Sequence, residues 1–412
     1  MTKAMVFLST RQLTQVDFSA PLFNDYNLIV IASAQELSQL PQSITEHFVQ
    51  QFSIAIKAND GVIIEYEQKE IRGIVDSLTG SYADIDIICF DEGNIELADA
   101  LRKNAAGRGN LERFRDKVTM KTCLSETAIT TPRFLEVLDD KQGFRGIAEV
   151  LGSPFVVKPK RSAGSNNIYI VHNERDFVEV TDQVGTLFSE YEAEEYIDGD
   201  LYHCDIAVWQ GESIFAECTE YLCPTIDFQT GSPLGGRVMD VDSSLRERLI
   251  AFAEKSLAVM QADDGVYHME IFVRRNQSQE LVFLEVGARP PGMLVTTMYE
   301  NATGINLLNL DILIQTRMVP PGFRFSRQQY AFYLVYPKGA GRVVALKTPA
   351  LYDANTLTMK FSNPSIIGEV HDGCRSNLDF SAYVTCSGRE KSIIDQAFTQ
   401  MSQFKPVTYA AG

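Results

Sequence analysis

Short apolar runs of strand length alternate with polar, helix-like segments over residues 1 to about 92: AMVFLST (4–10), NLIVIAS (27–33), FSIAIKA (52–58) and DIDIICF (84–90). This alternation predicts a small parallel sheet. No GxGxxG follows the first run, which argues against a dinucleotide site in that turn. Asp91-Glu92-Gly93 closes the fourth run. A surface loop is the plainer reading there; a substrate contact near Asp91 is the alternative, because strand carboxyl ends form the ligand crevice of an open α/β sheet.

From about 94 to 150 the pattern is helical, with breaks at AAGRGN (105–110) and TTPRF (130–134) and a helix opening over 113–117. LGSPFVVKPKRSAGSNNIYIV (151–171) reads strand, loop, strand. Its loop is small, polar and basic, lacks GxxxxGK[ST] and has no helix after it. It reads equally as a plain surface hairpin and as a lid whose N–H groups close over phosphates. Residues 186–222 are β-rich, and 223–240 read as an irregular loop long enough to be functional. Ser244-Leu245-Arg246-Glu247 fits a capping box, and Leu245, Leu249, Phe252, Ala253, Leu257 and Met260 form a one-face core stripe behind it. Residues 292–317 read as a turn and a helix. Met293 and Met298 there are pocket candidates, though filling core gaps is the commoner use of Met. Short strands at 332–336, 342–346, 357–361 and 381–385 and a helix at 392–404 predict a C-terminal α+β cap.

The most informative stretch is VYHMEIFVRRNQSQELVFLEVGARPP (266–291). It predicts strands at 266–274 and 280–286 around the turn 276–279. Folded about the turn's centre, Arg275 faces Glu280, Val273 faces Val282 and Glu270 faces Glu285. His268, Glu270 and Phe272 share one face. Opposed carboxylates repel unless a cation lies between them. Oxygen ligands on a rigid base suit Mg²⁺, which keeps waters and shares its shell with phosphates. Arg289 follows, placed to hold a phosphate or carboxylate. The bland alternative is two surface glutamates; the apolar neighbours IFV and LVFLEV argue against it.

Composition narrows the field. The chain has 412 residues, 45% hydrophobic and 22% charged, as in a globular protein of several subdomains. A net charge of −17 argues against nucleic acid or anionic membrane as partner. The apolar run at the N-terminus is too short for a signal peptide, and no run approaches a membrane span, so a cytoplasmic protein is expected. The seven cysteines form no CxxC and no zinc spacing. Buried free thiols are expected, with Cys204 and Cys218 as the one pair placed on a common hairpin.

The acidic hairpin, Lys117, Lys158 and the glycine-bearing loop together suit phosphoryl transfer, which needs positioning and charge neutralisation. Asp116-Lys117, Pro132-Arg133-Phe134, 154–159 with Ala163-Gly164-Ser165, 194–199, His268-Met269-Glu270 and 285–290 occur in order. In these the chain resembles the ATP-grasp carboxylate–amine ligases, of the L-amino acid ligase (dipeptide synthetase) type, over about 1–320. The resemblance implies an α/β (α+β overall) ATP-grasp fold. It divides into a Rossmann-like pre-ATP-grasp domain at 1–115, an ATP-grasp domain at 116–320 with its lid at about 150–200, and a C-terminal α+β extension at 321–412. It further implies that Lys117 and Lys158 bind ATP phosphates and that the loop with Ser162, Gly164 and Ser165 covers them. Glu194 would receive the adenine amino group, and the backbone of Glu195 and Ile197 would meet the adenine edge. Glu270 and Glu285 would bind Mg²⁺ (Mn²⁺ as an alternative), and Arg289 the transferred phosphate. His268 would orient a substrate carboxyl or tune Glu270; a structural His is the competing reading.

Two positions depart from the family pattern: Gly287 replaces an Asn, and Leu201 stands near a ribose-binding Glu, with Asp200 or His203 as substitutes. The activity implied joins a carboxylate and an amine, both small molecules, through an acyl-phosphate. Rivals are another ATP-grasp chemistry such as carboxylation, an inactive nucleotide-binding protein, and a scaffold. Oligomeric state stays open, homodimers being common among such ligases.

Overall fold

The computed structural model describes residues 2–102, 111–136, 143–350, 356–374 and 376–410. The break expected at 105–110 lies outside them. Four parallel strands lie in the order Phe48–Ile54, Tyr26–Ser33, Lys3–Leu8, Ile85–Ile88. Both faces are covered, which is why the strands read as unbroken apolar runs. One face packs Val6, Leu8, Ile29 and Ile31 with Ile71 and Val75 of helix Gln68–Leu78. The other packs Met5, Phe7 and Val30 with Leu308 and Ile312 of helix Leu307–Gln315. The third strand lies four residues earlier than its apolar run suggested. Phe48 and Ile54 anchor it in the core, whereas Ile56–Asn59 is exposed throughout and pairs antiparallel with Ile64–Tyr66.

A second sheet, antiparallel, runs Phe134–Leu135, Tyr191–Glu195, Phe155–Pro159, Tyr169–Val171, with helices Gly143–Leu151 and Glu174–Val184 against one face. It contains the lid-like hairpin read from the sequence, with two more strands added beyond Phe155–Pro159, so that Tyr169–Val171 forms an edge.

The third sheet has eight antiparallel strands: Leu281–Gly287, Gly265–Arg274, Gly199–Trp209, Glu212–Tyr221, Leu234–Val238, Tyr330–Pro337, Phe380–Gly388, Thr358–Ser362. Strand alternation sorts its two faces. Cys204, Ile206, Tyr267, Met269 and Ile271 lie against Leu249, Ala253 and Leu257 of helix Ser244–Val259. His203, Asp205, His268 and Glu270 fall on the opposite parity. The helix begins one residue earlier than its pattern indicated, with the Ser243 side chain accepting from the Arg246 N–H. Residues 292–317 hold two helices, Val295–Thr303 and Leu307–Gln315, separated at Gly304, whose φ is +76°. Met298 is core and Met293 lines the cavity.

The expected irregular loop at 223–240 contains a short 3₁₀ turn, Thr225–Thr230, and strand Leu234–Val238, which links the sheet to Tyr330–Pro337. Gly235 makes that link possible, because a Cβ there would sit 2.2 Å from the Tyr333 carbonyl. Cys204 and Cys218 correct the free-thiol expectation: they stand opposite each other and form a disulfide. The remaining strands Ala340–Leu346, Val370–Asp372 and Val407–Ala410 form a small separate sheet. Among the described residues, no helix is long and apolar enough to cross a membrane.

Candidate active site

A cavity of about 420 Å³ opens between the three sheets, within the usual range of small-molecule sites. The acidic hairpin forms one wall. Glu270 pairs with Glu285, as the alternation indicated, but by a different route. Val273 faces Leu281 and Phe272 faces Val282, one residue off the simple fold-over. A bulge at Leu284 then inserts an extra residue and restores the opposition of the two glutamates. Both line the cavity. Burial and then Glu285 push the Glu270 carboxyl above its usual range, while the Tyr221 hydroxyl donates to it at 2.9 Å. Two carboxylates opposed on a rigid hairpin and facing one cavity have the donor set of a hard divalent cation, so the residues fit Mg²⁺. Gly287 supplies no third side-chain oxygen.

Lys117 and Lys158 converge on the same place. With Ser162, Ser165 and Glu285 they line a small adjoining cavity of about 20 Å³. Asp116 caps helix Lys117–Leu124 through the Thr119 N–H at 2.8 Å, which fixes where Lys117 enters. The Lys117 ammonium donates to the Ser162 carbonyl at 2.7 Å and lies 3.4 Å from Glu285. Lys158 lies 2.6 Å from Glu194. Burial opposes its charge, but Glu194 and Glu192 outweigh burial and raise its pKa.

Glu194 is less free than the resemblance implied. One helical turn after Lys117, the fully buried Lys121 bonds both Glu192 and Glu194 at 2.6 Å. Burial works against the Glu194 charge, yet Lys121 and Lys158 hold its pKa near 2. Both oxygens therefore already accept from lysines, and an adenine amino group would have to share one. Sequence reading missed Lys121. The signals were present: four-residue spacing from Lys117, and Glu192 two places before Glu194 on one strand face. Glu195 donates its N–H to the Arg133 carbonyl at 2.8 Å, leaving only its carbonyl for a base edge. Ile197 and Leu201 line the cavity. His203 is fully buried and cannot serve a ribose, whereas Asp200 binds Arg275, a cavity residue, at 2.7 Å.

The glycine-bearing loop is closed over the site. Ser162 and Asn166 reach Asp60, at 3.4 and 3.1 Å, and Ser165 bonds Thr225 at 2.8 Å. Gly164, at φ +65°, lets the chain pass Val62, where a Cβ would approach to 3.1 Å.

Arg289 is held by Glu92, Nη2 at 2.7 Å and Nε at 2.8 Å, and Arg115 reaches the same carboxylate at 2.8 Å. Burial disfavours the Glu92 charge, but the two arginines keep its pKa far below the carboxylate range. His268 faces the cavity with Nδ1 on Asp205 at 2.7 Å and Nε2 3.9 Å from Glu270. Asp205, fully buried, also binds His203 at 2.6 Å and accepts from Tyr299 at 2.7 Å. The His268 ring is thus oriented from behind. Nothing in the local pattern marked Asp205, an acid set in the apolar half of its strand.

The architecture is an α/β fold of the ATP-grasp type. Over its whole length the chain resembles the crystal structure of L-amino acid ligase from Bacillus licheniformis, with a TM-score of 0.75 and 14% identity, covering 100% of this chain and 99% of that one. In sequence it is 26% identical over 198 residues to the L-arginine-specific L-amino acid ligase of Bacillus subtilis, 47% of each chain. It is 29% identical over 127 residues to the D-alanine–D-alanine ligase of Nitrosomonas europaea, 27% of this chain and 41% of that one. The matched stretches thus span less than half the length of these curated relatives. No family model matches.

Proposed function

We propose that the protein is an ATP-dependent, ADP-forming ligase that joins a small-molecule carboxylate to an amine. One observation carries the reading: Glu270 and Glu285 stand opposite each other in the cavity that Lys158 lines, with Lys117 3.4 Å from Glu285. In the first step a carboxylate oxygen attacks the γ-phosphorus of ATP, the bond to the bridging oxygen breaks, and ADP leaves. In the second, the neutral amine nitrogen attacks the acyl-phosphate carbonyl, the bond from that carbon to the phosphate oxygen breaks, phosphate departs, and the nitrogen gives up a proton to solvent. Lys117 and Lys158 would bind the phosphates as point charges, and Arg289, aligned by Glu92, would hold the phosphoryl group in flight. Glu270 and Glu285 would hold Mg²⁺, or Mn²⁺ in its place, whose chemistry when bound would be neutralisation of phosphate charge. Ser162, Gly164 and Ser165 would keep water out, and His268 would steady Glu270.

In this reading 1–115, 116–320 and 321–412 are the working units, in a cytoplasmic protein. The test is ADP and phosphate release with Mg·ATP and pairs of amino acids, the product being identified by mass. Release with an amide product of two added substrates is expected. No release across a full panel would favour an inactive nucleotide binder, and a carboxylated product another ATP-grasp chemistry.

A further inference from the structure

The parallel sheet reverses its direction of growth beside Lys3–Leu8: two strands are added on one side, and Ile85–Ile88 on the other. Carboxyl ends at such a switch point splay apart and leave a crevice for a ligand. Arg11 follows the first of these strands, and Asp91 and Glu92 follow the second. Two non-glycine residues in left-handed backbone bracket Arg11: Ser9 at φ 88° and Gln12 at φ 60°. Such conformations persist only where the surroundings enforce them. Here the enforcing contacts are Gln12 Nε2 to the Pro291 carbonyl at 2.7 Å and Gln15 Nε2 to the Met293 carbonyl at 2.8 Å. They tie the Arg11 segment to the chain just beyond Arg289.

The three arginines at this crevice are not equivalent. Arg289 and Arg115 are held tightly by Glu92, whereas Arg11 has the Val62 carbonyl at 3.4 Å and Asp91 at 3.8 Å. Its guanidinium lines the cavity with a quarter of the side chain exposed. Burial and then the like charge of Arg289 weaken its hold on its proton. A cation pinned between two strained residues, with loosely engaged donors and a second cation beside it, is arranged for an anion.

We propose that Arg11 anchors a carboxylate that takes no part in the chemistry, the free carboxylate of the amine-bearing substrate. The amine would then be accepted only when it carries its own acid group. This rests on the ligase reading above, in which Arg289 serves the reacting end.

The test compares the wild type, Arg11→Gln and Arg11→Lys in two assays. The first is calorimetric binding of each common amino acid, and of its C-terminal amide, to the full-length protein with Mg²⁺ and a non-hydrolysable ATP analogue. The second is ADP release with one amino acid as carboxyl donor and either an amino acid or an amino acid amide as the amine. An amide cannot be activated, so it reports on the amine position alone. The wild type should prefer acid over amide amines by about tenfold to a hundredfold. Arg11→Gln should erase that ratio while the KM for ATP stays within about twofold, and Arg11→Lys should keep part of it. Equal use of acids and amides by the wild type, or an unchanged ratio in Arg11→Gln, overturns the anchor and leaves the ligase standing. Arg11-dependent acid binding without any ADP release does the reverse. No binding of any amino acid overturns the anchor.

Discussion

Two groups of charge, one buried and one facing the cavity, lie in this molecule and obey opposite rules. In the cluster Lys121, Glu192, Glu194 and Lys158, two cations meet two anions, with three contacts at 2.6 Å. In the hairpin, Glu270 meets Glu285, like against like. The first group pairs each acid with a lysine, although Glu192 Oε2 stays buried without a hydrogen-bond partner, and it holds strand Tyr191–Glu195 to helix Lys117–Leu124. The second sets two acids against each other, with Lys117 3.4 Å from Glu285, and that opposition of acids facing the cavity is what marks it as a place for a further cation. Charge density alone would not separate them; the sign of each neighbour does.

The contrast can be tested from its strongest consequence down. Glu285→Ala should lower turnover by about a hundredfold or more while leaving the circular-dichroism spectrum and melting cooperativity intact, because several kcal/mol of transition-state charge stabilisation go with the metal. Wild-type rates would sink the metal assignment. Next, Lys121→Met leaves two neighbouring buried glutamates with Lys158 as their remaining cation in the cluster and should cost about 3–5 kcal/mol in denaturant unfolding. Adding Glu192→Gln to it should recover part of the loss; if it does not, the cluster is not coupled as described.

Acid should then act in opposite directions on the two groups. Glu194 falls from 4.5 in the free chain to near 2 in the fold, so its contribution to stability is complete above about pH 4.5 and is lost as pH falls toward 2. Glu194→Gln should flatten the melting temperature across that window. Glu270 is shifted upward from 4.5, so its contribution is present below that pH and disappears as pH rises through its folded value. Glu270→Gln should therefore leave the metal-free protein at neutral pH as stable as the wild type or more so, although inactive. A clear drop in its melting temperature would contradict the frustrated-pair description. The smallest effect is expected of Tyr221→Phe, which removes one hydrogen bond to Glu270 and should raise the Mg²⁺ needed for half-maximal rate by about tenfold.

What could be read from residues alone follows the range of the interaction. Glu270 opposite Glu285, the strand before Lys158 and the helix after Lys117 are set by contacts within a few tens of residues, so alternation and capping reveal them. The Leu284 bulge did not show, since an extra apolar residue in an apolar run leaves the pattern intact. The grip of Glu92 on Arg289 spans 197 positions, and that of Lys121 on Glu194 spans 73. Pairings at such separations exist only once the sheets have assembled. Strand Phe48–Ile54 was misplaced for a related reason: the overlapping run 52–58 is the more apolar of the two, and only the assembled core selects the earlier one.

Helix Leu307–Gln315 turns Leu308 and Ile312 into the parallel sheet's core and Leu307, Leu310 and Ile314 into that of the long antiparallel sheet. One rod is thus riveted into two bodies. Severing the chain near residue 100 should strip an oily flank from the front piece and leave it sticky in isolation. The sheet containing Phe155–Pro159, by contrast, keeps an apolar interior of its own.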